Sequence, residues 1–166
     1  MAFSLAAEMP EHAEAIARVL DRAFGPGRHA KTSERVREHR ARFEPALSRV
    51  GLNDRGDAIG VCRIWRVAAG SMELYFLGPL AVDPDAQAVG LGLALTRDVV
   101  AACRAAGGSG IVLVGAERFF RPCGFSVVPA GRITLPGPGN PAHLLWCELR
   151  PGGLDKAAGP LRGPDG

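Results

Sequence analysis

Leu80-Ala81-Val82-Asp83-Pro84, then Gln87-Ala88-Val89-Gly90-Leu91-Gly92, joins an apolar strand to a helical run that continues from Leu93 to Ala106. The strand ends at Val82, a short turn follows, and glycines open the helix. The first amides of a helix lack intrahelical partners and stand at the positive end of its dipole, so they gather anions. Gly90 and Gly92 carry no side chains, which lets a pyrophosphate approach the backbone. A dinucleotide fingerprint does not fit. It needs a third small residue where Leu95 stands and glycines tight against the strand, whereas Asp83 to Val89 intervene. It also needs a ribose-binding carboxylate further on, which Ser109-Gly110-Ile111-Val112-Leu113 does not supply.

Outward from this stretch the order of elements is legible. Phe3 to Ala7 reads as a first strand. Pro10 opens a helix in which Ile16, Val19, Leu20, Ala23 and Phe24 recur at helical spacing, and Gly25 closes it. Thr32 or Ser33 can cap a second, charged helix to about Phe43, ended by Pro45. Leu47 to Asn53 and Ala58 to Val67 read as a hairpin around Asn53-Asp54-Arg55-Gly56-Asp57. Met72 to Val82 is the longest apolar run and is expected at the centre. Pro79 inside it has no N–H, and a central strand admits proline essentially only at a bulge.

The helix from Leu91 to Ala106 should turn Leu91, Leu95, Val99, Cys103 and Ala106 inward, and Gly107-Gly108 ends it. Ile111 to Val114, a short helix over Ala116 to Cys123, and strands at Phe125–Val128, Ile133–Leu135 and His143–Leu149 complete the expectation. A strand–helix–strand crossover around the glycine loop demands a parallel pair within an otherwise antiparallel order. Beyond Arg150, proline and glycine make up 8 of 16 residues, so residues 151–166 are expected as an arm or a disordered tail.

The 166 residues suit one domain with a single core. Met1 to Leu5 has no basic leader and no long apolar run, so neither a signal peptide nor a membrane span is expected. Cys62, Cys103, Cys123 and Cys147 are widely spaced, without a C-x-x-C pair or clustered histidines. That spacing argues against a metal centre and a disulfide framework and fits reduced thiols in a cytoplasm. Of the 20 basic residues only Lys31 and Lys156 are lysines. Arg28, Lys31, Arg35, Arg37, Arg40 and Arg42 outweigh Glu34 and Glu38, a patch that can attract a cofactor's phosphates, an acidic small molecule or nucleic acid. A solvated helix face with Glu–Arg pairs explains the same run. No aromatic residues interleave the basic ones, which counts against a nucleic-acid platform.

Gln87-x-x-Gly90-x-Gly92 after Leu80-Ala81-Val82-x-Pro84 resembles the acetyl-CoA loop of the GNAT superfamily of N-acetyltransferases. Leu77-Gly78-Pro79 before it, Val112-Leu113-Val114-Gly115, and Phe119-Phe120-Arg121-Pro122-Cys123-Gly124-Phe125 after it look like the YhbS-type branch. So does Asp21-Arg22-Ala23-Phe24-Gly25-Pro26-Gly27-Arg28 with Lys31-Thr32. The resemblance covers residues 3–150. It implies a mixed α/β (α+β), three-layer α-β-α domain over residues 1–150. Its central sheet would be mixed, largely antiparallel, of about seven strands, and splayed at one parallel pair.

The resemblance also implies the chemistry. Acetyl-CoA would be the acyl donor and a small-molecule or protein primary amine the acceptor, attacking the thioester directly. The Leu80 N–H would hold the oxyanion, Ala81 and Val82 would pair with pantetheine, and Gln87, Ala88, Val89, Gly90, Leu91 and Gly92 would take the pyrophosphate. Phe119 and Phe120 would border the cofactor, and Arg28 and Lys31 the acceptor. Relatives that protonate the departing thiolate with a tyrosine carry it where this chain has Phe119-Phe120, which offers no proton. Cys123 is nearby in sequence, and the sole tyrosine, Tyr75, lies in the earlier strand. Relatives often carry a glutamate base four residues before the oxyanion amide, where this chain has Phe76. Glu73 is the nearest carboxylate, and a bulge at Gly78-Pro79 would reset its strand parity. His143 and His29 are further candidates. The departures from pattern leave a second reading, a non-catalytic acyl-CoA-binding sensor or partner domain. A homodimer is left open.

Overall fold

The computed structural model describes residues 2–25, 40–86 and 90–165. Strand β1 (Ser4–Ala7) leads through a 3-10 turn at Pro10–His12 into helix α1 (Ala13–Phe24). Ile16, Val19 and Leu20, spaced i, i+3, i+4, are the buried stripe of α1. Gly25 ends it at φ 71°, donating its N–H to Asp21 O at 2.8 Å. Strands β2 (Arg42–Phe43), β3 (Arg49–Leu52), β4 (Ala58–Ala69) and β5 (Met72–Val82) follow. Asn53 Oδ1 accepts from the N–H groups of Arg55 and Asp57, both at 2.9 Å, and so closes the β3–β4 turn. Next come helix α2 (Leu91–Ala105), strand β6 (Gly110–Val114), and short helix α3 (Glu117–Phe120), which tightens into a 3-10 turn at Arg121–Cys123. Strands β7 (Ser126–Val127), β8 (Ile133–Thr134), β9 (Leu144–Glu148) and β10 (Gly159–Arg162) complete the sheet.

The sheet runs β1-β3-β4-β5-β6-β9-β7, seven strands in one path, with β5–β6 its parallel pair. Helices cover both faces, as the three-layer expectation required. Helix α1 packs Ile16, Val19 and Leu20 against Val50, Val61 and Ala81 on one face. Helix α2 packs Leu91, Leu95, Val99 and Cys103 against Ile59, Cys62, Ile64 and Leu77 on the other. Ala106, expected inward, is exposed, because the helix ends at the preceding residue.

Two expectations need correction. The charged helix anticipated up to Phe43 does not reach it. Arg42 and Phe43 form β2, paired with Arg66 and Trp65 of β4, and residues 32–39 of that anticipated helix lie outside the described residues. Nor is the segment after Arg150 a free arm. Leu154, Ala157 and Leu161 are buried in a cluster with Val67, Leu74, Phe76 and Val112, and β10 pairs with β4 at Ala68–Ala69. Proline and glycine there serve tight turns rather than disorder. Strands β3, β2 and β10 thus line one edge of β4 in series.

One ion pair is taken out of water. Glu8, just past β1, is 8% exposed, and Arg63 of β4 meets it with two parallel hydrogen bonds of 3.0 Å. The fork geometry matches carboxylate to guanidinium and satisfies both oxygens.

Cys62 and Cys103 are buried in the α2-side core, and burial pushes both thiols up, Cys103 to about 12. The folded chain therefore keeps protons that the unfolded chain releases near the ordinary thiol value of about 8.5. Above that pH the unfolded state binds fewer protons, so stability falls as pH rises. Equilibrium urea unfolding at pH 7, 9 and 10 should show this decline, and a Cys62→Ala/Cys103→Ala variant should show a flatter one. An equal slope in both proteins would refute the assignment.

Candidate active site

The site grows from a bulge in β5. Across the β4–β5 ladder Cys62 faces Leu80 and Ile64 faces Leu77, so β5 spends one residue more than β4 between these rungs. Gly78 and Pro79 are the residues in that interval, joined by a cis peptide, with Gly78 at φ 150°. On its other side β5 pairs with β6 only at Tyr75↔Ile111 and Phe76↔Val112. Beyond Phe76 the two parallel strands part. The backbone from Leu77 to Val82 has no paired partner on that side among the described residues, and an amide-bearing ligand finds an open edge there. Leu80 and Val82 are half-buried and Ala81 is buried.

Helix α2 starts at the same end of the sheet. Its N-cap, Gly90, sits at φ 81°, no side chain caps it, and no acidic residue stands in the first turn. Within the helix, then, nothing offsets the dipole end. Ala94 N–H closes on Gly90 O at 3.0 Å, and the helix amides before it have no intrahelical partner among the described residues. Two glycines far away in sequence set the depth of α2. A methyl group on Gly51 would come within 2.7 Å of Leu91 Cδ1, and one on Gly60 within 3.0 Å of Leu91 Cδ2. Bare backbone at both positions leaves room for Leu91 to seat the first turn of α2 against β3 and β4.

Phe119 and Phe120 take different roles. Phe119 is 39% exposed and leans on α2, where a methyl group on Gly92 would stand 3.2 Å from its Cζ. Phe120 is buried, edge-on to Phe119 at 4.8 Å and to Phe125 at 5.8 Å. Phe119 is therefore the ring at the helix mouth. Cys123 follows, half-buried, its thiol pushed up by burial against the opposing pull of Arg97.

The structure separates Glu73 from this site. Glu73 lies at the start of β5, faces Ala68, is mostly exposed, and stands 3.7 Å from Arg66. Seven residues along a strand put it roughly 20 Å from Leu80, so the bulge that could reset its parity does not bring it near. Tyr75 is buried on the α2 face, under the Arg66 guanidinium at 5.6 Å; burial pushes its hydroxyl up while Arg66 pulls it down. Arg66, Glu73 and Tyr75 line, with Ala106–Ser109, a separate cavity of about 160 Å³ at that far end. Phe76, where the resemblance would place a glutamate base, is fully buried.

His143 is exposed at the open end of the splay, where its carbonyl accepts the Gly115 N–H at 2.8 Å. Gln87, Ala88, Val89, Arg28, Lys31 and His29 lie outside the described residues.

Three features escaped the sequence reading. Trp65 of β4 donates its indole N–H to Gly78 O at 2.6 Å. Gly51 and Gly60 seat α2, a role that glycines inside strands can signal. The Glu8–Arg63 fork braces the α1 face, and Arg63 also lies 5.3 Å over the Phe43 ring. Among the described residues no group of three or more His, Cys, Asp or Glu could hold a metal ion, and no helix is long and apolar enough to cross a membrane.

A model of the acetyltransferase (GNAT) family matches residues 13–125. No curated protein sequence matches. Among solved structures, the GNAT family N-acetyltransferase YhbS from Escherichia coli, in complex with CoA, superposes with a TM-score of 0.79. It is 23% identical, over 96% of this chain and 88% of that one. A GNAT family acetyltransferase from Brucella melitensis in complex with acetyl-CoA gives a TM-score of 0.69 at 26% identity, over 97% and 95% of the two chains. The ribosomal-protein-S18-alanine N-acetyltransferase from Escherichia coli gives 0.61 at 16% identity, over 89% and 94%.

Proposed function

The chain belongs to the GNAT family of acetyltransferases, and from that premise we propose that it moves an acetyl group from acetyl-CoA to a primary amine by direct attack on the thioester. The observation that carries this reading is the parting of β5 from β6 after Phe76, at the same sheet end as the uncapped start of α2. Pantetheine amides extend along Ala81 and Val82 in the gap. The pyrophosphate meets the amides of the Gln87–Gly92 loop, and Phe119 borders the arm. The Leu80 N–H points its partial charge at the thioester oxygen. One aimed donor in a dry site is worth about 3 kcal/mol of barrier.

No tyrosine stands at Phe119 or Phe120 to protonate the sulfur. A thiolate is a tolerable leaving group without one, given a thiol pKa of about 8.5. The attacking nitrogen must lose a proton, and of Glu73 and His143 only His143 stands at the open end of the splay, so His143 or water replaces Glu73 as the acceptor of that proton. Arg28 and Lys31 would border the amine's entry. The protein acts as a soluble cytoplasmic enzyme in this reading, in keeping with its four free cysteines.

Thermal unfolding with each cofactor tests the donor. At 100 times its dissociation constant, acetyl-CoA adds about 2.7 kcal/mol, which raises the Tm by roughly 5–10 °C for a chain of this size. NAD at the same concentration should leave the Tm in place, and an equal shift with NAD would defeat the assignment. Release of CoA with a panel of primary amines then separates turnover from the sensor reading: binding with no release from any amine would favour the sensor.

A further inference from the structure

We infer that Trp65 is a positioning residue for the oxyanion donor, holding the bulge that aims the Leu80 N–H; this rests on the acetyl-transfer reading above. The bulge takes Gly78 and Pro79 out of register with β4, between the Cys62↔Leu80 and Ile64↔Leu77 rungs. A carbonyl displaced from its ladder needs another donor. The indole N–H of Trp65 supplies it to Gly78 O at 2.6 Å, at the short end of N–H···O distances. The indole is itself braced. Its ring centroid lies 5.0 Å from that of Phe43, tilted by 47°, and Arg63 covers the other ring while forked to Glu8. Phe43, Trp65 and Phe76 stand in one cross-strand row over β2, β4 and β5.

The connection from that hydrogen bond to the reacting centre is short. Between the Gly78–Pro79 peptide plane and the plane bearing the Leu80 N–H there are two torsions. The proline ring fixes the first near −65°, so only ψ of Pro79 is left. Pinning the Gly78 carbonyl therefore pins the direction of the Leu80 amide to within one rotation. Oxyanion stabilisation depends on donors already aimed where charge develops, and a small misplacement is felt as a loss of rate rather than of binding.

The test uses the whole protein, acetyl-CoA labelled with carbon-13 at the thioester carbonyl, and the primary amine that gives the fastest CoA release. In the wild-type protein the infrared stretch of the bound carbonyl should move to lower frequency than in free acetyl-CoA. Trp65→Phe keeps an aromatic ring and deletes the donor. It should lower kcat about tenfold, leave the KM for acetyl-CoA within about twofold, and return the stretch toward the free value. If that variant folds poorly, 3-benzothienylalanine replaces tryptophan in a Trp146→Phe background. The analogue keeps the shape of indole and lacks the N–H, and the same two losses are expected relative to that background. Wild-type kcat and a carbonyl band that stays at the wild-type bound frequency in the donor-less protein would overturn the role of Trp65 while leaving acetyl transfer intact. A wild-type protein that binds acetyl-CoA with no carbonyl downshift would overturn the oxyanion reading and, with it, this inference.

Discussion

Gly90→Glu should weaken acetyl-CoA binding by on the order of 100- to 1000-fold while the protein stays folded. The residue caps α2 at φ 81°, where a non-glycine residue costs about 1–2 kcal/mol. That strain is survivable, since a Cβ at Gly90 meets nothing within 4 Å. The carboxylate, by contrast, arrives where the pyrophosphate is proposed to sit. Two like charges about 4 Å apart near a protein surface repel by roughly 4 kcal/mol, and the new anion also neutralises the helix start. Gly90→Asn is the matched control, because asparagine tolerates the left-handed conformation and brings no charge. Calorimetric titration of both variants with acetyl-CoA should show near wild-type affinity for asparagine and a loss on the order of 100- to 1000-fold for glutamate. Equal affinities would mean that the glycine only starts a helix.

Arg63→Ala should cost about 3 kcal/mol of folding stability, the low end of the 3–5 kcal/mol expected when one partner of a buried pair is removed. Glu8 would be left with its carboxylate 7% exposed and without its guanidinium, whereas Arg63 itself retains 23% exposure, which tempers the loss. For a chain of this length that is a Tm fall of roughly 6–12 °C. Glu8→Gln in the Arg63→Ala background should recover part of it by removing the stranded charge. A double-mutant cycle in urea measures the coupling directly, and a coupling near zero would reduce the fork to a surface contact.

The sequence carried the parts of this fold that are local. Met72–Val82 appeared as one strand because eleven residues of apolar run need no distant information, and Pro79 announced its bulge because proline cannot pair. The start of α2 was legible in Gly90 and Gly92 for the same reason. What could not be read was decided between distant segments. Glu73 was the carboxylate nearest the Phe76 position along the chain, but most of a strand stands between it and Leu80, and His143 reaches the open end of the splay from the turn just before β9. The role of Trp65 was not legible, since its partner is a backbone oxygen on the next strand. Proline and glycine beyond Arg150 suggested an arm, because composition does not reveal that Leu154, Ala157 and Leu161 meet a core laid down by β4, β5 and β6.

That last pairing puts the fold on a clock. Leu161 docks on Ala69, so the stretch of β4 at Ala68–Ala69 is made long before its edge partner. At ribosomal rates of roughly 5–20 residues per second, the intervening chain takes roughly 5–20 s to appear. Throughout that interval the nascent protein can close β3 on β4 and β4 on β5, yet it carries a bare strand edge at Ala68–Ala69. Such an edge is a template for pairing with another chain. In the cell, therefore, the most exposed moment of this enzyme comes between completing its β4–β5 hairpin and finishing β10.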